Sequence, residues 1–342
     1  MAPDSFASSA FDQQGDYSEL SEAVRAAARQ LLTDLQEIER DSEQWRNDEV
    51  AYPRIANSLD ACIACLTATR CVGEANRLPS SELWNLTQSY LAVGELQHRA
   101  RTKPRGYAGD FELLGKICDQ YRCQHPLGRL FDRFFQAQAA PQAVRNRTQL
   151  VADQIVAKLR KSNADKVRVV SFGCSAAVDV QWAVRQFSPQ DLERLECVLL
   201  DLDPAAIARC EAILSPMFLN GGLVCLRENL MRLPKLPRLQ EKIADADLLI
   251  CTGLFDYLDP PNAATMLSAF WKNLSPTGEL LVFNFGPDNP SRGYMEWIGN
   301  WYLIYRTRDD LRELAQMAEL PIDSVRVDAE PTGVNLFLGA QR

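Results

Sequence analysis

Gly173 stands where the run VRVVSF (167–172) ends, and Cys174, Ser175, Ala176 and Ala177 lead from it into a helical pattern. Such a strand–turn–helix joint can hold a nucleotide-type ligand. A glycine permits close backbone approach, and a helix N-terminus points its N–H groups at the ligand. A pyrophosphate site needs the three glycines of G-x-G-x-x-G, and only one is present. The chemistry that fits is a nucleoside ligand without a pyrophosphate. The next apolar run ends in Asp201-Leu202-Asp203-Pro204. A carboxylate there can grip a ribose diol through paired hydrogen bonds. Asp201 is the first choice for this role and Asp203 the second, because Asp203 before Pro204 also reads as a helix N-cap. A third run ends in Glu228-Asn229, where Asn229 is placed to touch an adenine edge. A fourth ends in Gly253-Leu254-Phe255-Asp256-Tyr257-Leu258, a glycine followed by side chains that would wall in a small molecule.

Two more stretches combine unusual residues. Residues 101–110, RTKPRGYAGD, join Lys103, Arg105, Tyr107 and Asp110 with two glycines in an otherwise acidic chain. A solvated basic loop is one reading. A clamp on an anionic group, with Arg105 or Tyr107 near a carboxylate, is the other. Residues 283–306 carry Tyr294, Trp297, Trp301, Tyr302 and Tyr305 after the fifth apolar run. Aromatic residues at that density pack a core or line a lid over an acceptor. Tyr107, Glu296 and Tyr305 are the candidate acid–base groups, and Arg306 is the candidate for orienting an anionic acceptor.

The elements that must position these residues divide the chain in two. Residues 18–145 show apolar positions at three- and four-residue steps with charges between, the mark of amphipathic helices. From Val167 the pattern alternates: strands at 167–172, 195–202, 222–229, 246–253 and 278–285, with helical stretches between and two closing strands at 322–330 and 332–341. This predicts an α/β fold, a Rossmann-like parallel sheet with an antiparallel C-terminal hairpin, preceded by an all-helical domain. The expected boundaries are 1–17 without ordered structure, 18–145 helical and contributing to the pocket and lid, and 146–342 as the sheet domain. The 342 residues are 46% hydrophobic with a net charge of −8. No basic footprint points to nucleic acid, and no apolar run is long enough to span a membrane. The first twenty residues lack a secretory pattern, which predicts a cytoplasmic protein. Cys62-x-x-Cys65 with Cys71 lies in a helical pattern far from both histidines, so no metal site is expected. The sequence leaves the oligomeric state open.

KPRGYAGD, GLFDYL and YMEWIGNWYLIYR, in this order, resemble segments of a bacterial group of class I S-adenosylmethionine-dependent methyltransferase-like proteins. Members are identified as making the methyl ester of a 3-hydroxy fatty acid, a cell-density signal. The resemblance covers residues 100–340 roughly, and the single glycine of the cofactor turn departs from the common pattern. It implies that S-adenosyl-L-methionine is the cofactor, a sulfonium compound with no phosphate to cradle. It also implies that a small-molecule carboxylate or hydroxy fatty acid receives the methyl group. Two alternatives are cyclisation of the cofactor to azetidine-2-carboxylate with release of methylthioadenosine, and a non-catalytic module that binds cofactor or fatty acid.

Overall fold

The computed structural model describes residues 7–41, 47–218 and 221–342. Its helices are α1 (Ala7–Arg40), α2 (Asp48–Thr67), α3 (Arg77–Leu91), α4 (Glu95–Thr102), α5 (Phe111–Cys118), α6 (Gly128–Ala137) and α7 (Ala139–Lys161). After β1 (Val167–Phe172) come α8 (Val178–Val184), α9 (Pro189–Arg194), β2 (Leu195–Asp201), α10 (Pro204–Leu214) and β3 (Leu223–Arg227). Then follow α11 (Pro237–Ile243), β4 (Ala246–Cys251), α12 (Pro260–Lys272), β5 (Leu274–Phe285), α13 (Arg292–Trp297), α14 (Arg308–Met317), β6 (Val325–Ala329) and β7 (Asn335–Gln341). The stretch expected to lack structure, 1–17, lies outside the described residues up to residue 6, and α1 begins at Ala7.

The chain forms two compact units. One comprises Met1–Gly109, Gln120–Gln138 and Pro290–Tyr302, and the other Asp110–Asp119, Ala139–Asn289 and Leu303–Arg342. The boundary read at 145/146 therefore falls inside α7, and the aromatic segment is shared between the units.

The helical unit gathers α1, α2, α3, α4, α6 and α13. Its core accounts for much of the aromatic stripe. Trp297 is fully buried, and Tyr294 is buried with its hydroxyl donating to Gln97 Oε1 at 2.7 Å. The Tyr294 ring meets Phe134 edge-on at 5.2 Å between centroids. The buried Asp132 accepts from the backbone N–H of Leu96 and of Cys123, each at 2.9 Å.

The second unit is a seven-stranded sheet in the order β3-β2-β1-β4-β5-β7-β6. The first five strands are parallel, and β7 runs antiparallel to β5 and β6. Helices cover both faces, so the strands are apolar on both sides. Val170 and Phe172 of β1 pack towards α11, α12 and α14, whereas Val167 and Val169 pack towards α7, α8 and α10. The order reverses at β1, whose neighbours are β2 and β4. Phe172 pairs with Leu200 on one side and with Cys251 on the other. A ligand crevice is expected outside the carboxyl ends of these strands. Among the described residues, no helix is long and apolar enough to cross a membrane.

Candidate functional site

The turn after β1 is strained, and the missing glycines are part of the reason. Gly173, Ser175 and Ala177 all have left-handed backbone angles, with φ of 60°, 56° and 48°. Glycine takes that conformation freely; serine and alanine do so at a cost of about 1–2 kcal/mol each. The turn persists because its neighbours hold it. The Cys174 N–H donates to the Leu200 carbonyl at 3.0 Å, and Ala177 N–H to the Cys174 carbonyl at 2.7 Å. The Ser175 N–H donates to Asp201 Oδ2 at 2.8 Å. A Cβ built on Gly173 would meet open space, so the turn presents its backbone outward at that point.

Asp201 organises the end of β2. Its Oδ1 accepts from the Asp203 N–H at 2.9 Å while Oδ2 holds Ser175. Its backbone carbonyl accepts from the Glu228 N–H at 3.0 Å, which ties in the end of β3. Burial pushes its carboxyl pKa above the usual range, partly offset by the two N–H donors. Each carboxylate oxygen keeps a second lone pair for a hydroxyl partner. Asp203 is the N-cap of α10, its Oδ1 accepting from Ala205 N–H at 2.8 Å, while Asn229 is exposed and caps the following turn through Met231 N–H at 3.0 Å.

At the end of β4, Gly253 lies against Arg147: a Cβ on this glycine would stand 3.8 Å from Arg147 Nη2. Tyr257 is 44% exposed, whereas Phe255 is fully buried and packs on Phe270 in the core. Leu254 is half-buried against the same core. Of the cofactor candidates, Gly173, Cys174, Asp201, Asp203, Asn229, Gly253, Leu254, Phe255 and Tyr257 belong to the sheet unit, and Phe255 is there a core residue. The Cys174 thiol is also buried, 4.0 Å from Cys210 Sγ.

Arg105 and Tyr107 belong to the helical unit, exposed on the loop that leaves α4. Gly106 and Gly109 have positive φ, and a Cβ on Gly109 would come within 2.6 Å of the Trp301 ring. Glu296 is buried in the same unit. Its carboxylate accepts from Arg292 Nε and from the Gly73 N–H, both at 2.8 Å. Arg306 is buried in the sheet unit and donates to the Phe255 carbonyl at 2.6 Å, to Asn284 Oδ1 at 2.5 Å and to the Leu258 carbonyl. The polar atoms of both side chains are thus engaged in holding their own units together. Tyr305, beside Arg306, is half-buried in the sheet unit.

Sequence reasoning missed two buried groups near this edge, Arg147 and Asp179, and gave no sign that Asp256 is buried with them. Arg147 sits on the buried face of α7, and burial lowers its pKa while the Asp256 charge opposes that shift. Burial pushes Asp256 up to about 6 and Asp179, in the first turn of α8, also to about 6. Asp256 Oδ1 accepts from the Phe285 N–H at 2.7 Å, and Asp179 Oδ1 from the Val180 N–H at 2.8 Å. Among the described residues, no group of three or more His, Cys, Asp or Glu side chains is arranged to hold a metal ion.

No protein-family model matches the chain, and no curated protein matches it. Solved structures do share its fold. A Bordetella parapertussis protein, called a possible exported protein, superposes with a TM-score of 0.61 at 16% identity, over 96% of this chain and 96% of that one. The carbon methyltransferase CurJ superposes with a TM-score of 0.50 at 12% identity, over 95% of this chain and 91% of that one. The Rossmann-like sheet, with its antiparallel closing pair and a helical N-terminal region, is the fold this chain shares with that methyltransferase.

The strained turn and the buried acid can each be tested. Ser175 Oγ is buried with no hydrogen-bond partner. Ser175→Gly should therefore stabilise the ligand-free protein by about 1 kcal/mol, by relieving the left-handed strain and removing an orphan hydroxyl. Urea unfolding checks this; an unchanged or lower midpoint would show that the turn is not strained there. For Asp179, the raised folded-state pKa means that its contribution to stability is present below pH 4 and lost as pH rises through about 6. Asp179→Asn does not titrate, so between pH 5 and 7.5 its stability should gain on that of the wild type by about 1.4 kcal/mol. Asp256 titrates in both proteins and drops out of the difference. Unfolding curves across that pH range measure the gain, and parallel pH profiles would contradict the assignment.

Proposed function

We propose that the sheet unit binds S-adenosyl-L-methionine and that the protein transfers its methyl group to a small-molecule acceptor. The observation that carries this reading is the Asp201 carboxylate. Two backbone N–H groups fix it beside a turn that is open at Gly173, at the point where the strand order reverses. Such a carboxylate suits a ribose diol, and a turn with one glycine suits a nucleoside that brings no pyrophosphate. The fold shared with a carbon methyltransferase supports the same reading.

In this proposal Gly173 and Cys174 present backbone to the nucleoside, Asp201 receives the ribose hydroxyls, Asn229 lies at the adenine edge, and Gly253 with Tyr257 borders the reacting end. Asp203 is left as the cap of α10. The cofactor supplies an electrophilic methyl group on a sulfonium that already leaves well. What the protein must add is positioning, which alone can supply a large part of the barrier reduction. A carboxylate acceptor would need no strong base, which accords with the engagement of Glu296 and Arg306 in structural contacts. Within the sheet unit, Tyr305 is the hydroxyl candidate if the acceptor is an alcohol or amine.

Incubation with S-adenosylmethionine, with and without a panel of hydroxy fatty acids and other small carboxylates, tests the reaction by mass spectrometry. S-adenosylhomocysteine should accumulate only with an acceptor, and Asp201→Asn should reduce its formation. Methylthioadenosine formed without an acceptor would replace methyl transfer by cyclisation of the cofactor. No product, together with tight cofactor binding, would leave a binding module.

A further inference from the structure

A buried arginine needs a partner. Arg147 is 5% exposed, and its Nη1 is fully buried without a hydrogen bond. Leaving a charged donor dry and unmade costs several kcal/mol, so buried guanidinium groups are almost always paired. Here the group lies 3.8 Å from where a Cβ on Gly253 would stand, and its Cζ is 5.8 Å from the centroid of the Phe285 ring. Glycine at 253 thus leaves room beside the guanidinium at the carboxyl end of β4.

A second orphan lies across the sheet edge. Asn335 is 0% exposed, and neither its Nδ2 nor its Oδ1 finds a partner. The register pairs Asn335 of β7 with Phe285 of β5, and directly opposed residues in an antiparallel pair share one face. Asn335 therefore stands on the face of the Phe285 ring, the side on which α7 carries Arg147. Glu330 fixes this arrangement. Its carboxylate accepts from Asn146 Nδ2 of α7 at 2.7 Å and from the Asn335 N–H at 3.1 Å. The residue next to Arg147 and the backbone of Asn335 are so held by one carboxylate. Two buried, unsatisfied donors on α7 and β7, which Glu330 ties together, suit an anion site.

We propose that Arg147 and Asn335 form a carboxylate-binding subsite of the sheet unit. The carboxylate comes either from the amino-acid end of the cofactor or from the acceptor. Only the first source rests on the cofactor reading above. Asp256 and Asp179 place negative charge near the same guanidinium. They suit a ligand that carries an ammonium group beside its carboxylate, which favours the first source.

Calorimetry on the full chain separates the cases, with S-adenosylhomocysteine, its decarboxylated analogue and octanoate as probes. If the cofactor supplies the carboxylate, wild type prefers S-adenosylhomocysteine over the decarboxylated analogue, and Arg147→Met erases that preference with a loss of about 30-fold or more. Asn335→Leu should weaken the same preference. If the acceptor supplies it, the preference survives in both variants, and octanoate binding is lost in Arg147→Met. A wild type that binds neither adenosyl compound overturns the cofactor reading and leaves the octanoate result to decide the subsite. Arg147→Met also takes a counter-charge from the buried Asp256 and Asp179, so its melting temperature should fall and does not bear on the subsite. Arg147→Lys keeps the charge without the planar fork and should lose part of the same preference while melting close to wild type. Unchanged binding of every probe in Arg147→Met and in Arg147→Lys would overturn the proposal.

Discussion

The Asp201 carboxylate is the contact on which the ligand edge of the sheet depends. One oxygen holds the Ser175 N–H and the other the Asp203 N–H, while the backbone carbonyl of the same residue takes the Glu228 N–H. The ends of β1, β2 and β3 are thereby fixed to one residue. Without it, the left-handed angle at Ser175 would lose the hydrogen bond that most directly offsets its strain. Backbone strain of this kind persists only where the surroundings over-determine it. The same carboxylate keeps lone pairs for an outside partner, so the group that shapes the turn is also the group proposed to read the ligand.

Much of this was legible in the sequence, for identifiable reasons. The five parallel strands and the closing hairpin were marked by short apolar runs at regular spacing, and α10 by Asp203-Pro204 at its start. Asp201 was singled out by its place at the end of the second strand, and the structure makes it the residue that holds the turn after β1. The compact units were less legible. The aromatic stretch follows β5 in sequence, yet residues 290–302 belong to the helical unit, where Tyr294 and Trp297 fill the core. Local periodicity cannot reveal that a segment leaves one core to complete another. Glu296 and Arg306 looked reactive by residue type alone. Their contacts, with Arg292 and Gly73 for the first and with Asn284 and two carbonyl groups for the second, depend on long-range packing.

Arg147 had a signal that reasoning by motif passes over. It lies on the buried stripe of α7 with Val144, Thr148, Val151 and Ile155, so the helical period itself places a charge on the apolar face. Asp179 stands in the first turn of α8, where the helix dipole favours an acidic residue, so its type and place carry no special signal. Only the fold shows that it is buried. The site therefore combines one side chain that the backbone satisfies, Asp201, with others that it leaves wanting: Ser175 Oγ, Arg147 Nη1 and the Asn335 amide. Each of these buried groups is costly to a folded chain while unsatisfied, and the proposed ligand would satisfy them.

The central claim is that a turn poor in glycine, held by Asp201, takes a nucleoside that has no pyrophosphate. Calorimetric titration of the full chain with S-adenosylhomocysteine, NAD and ATP in parallel tests it most directly. The account predicts that S-adenosylhomocysteine binds with a favourable enthalpy and that NAD and ATP do not compete with it. Saturable binding of NAD or ATP that displaces S-adenosylhomocysteine, or that occurs in its place, would contradict it.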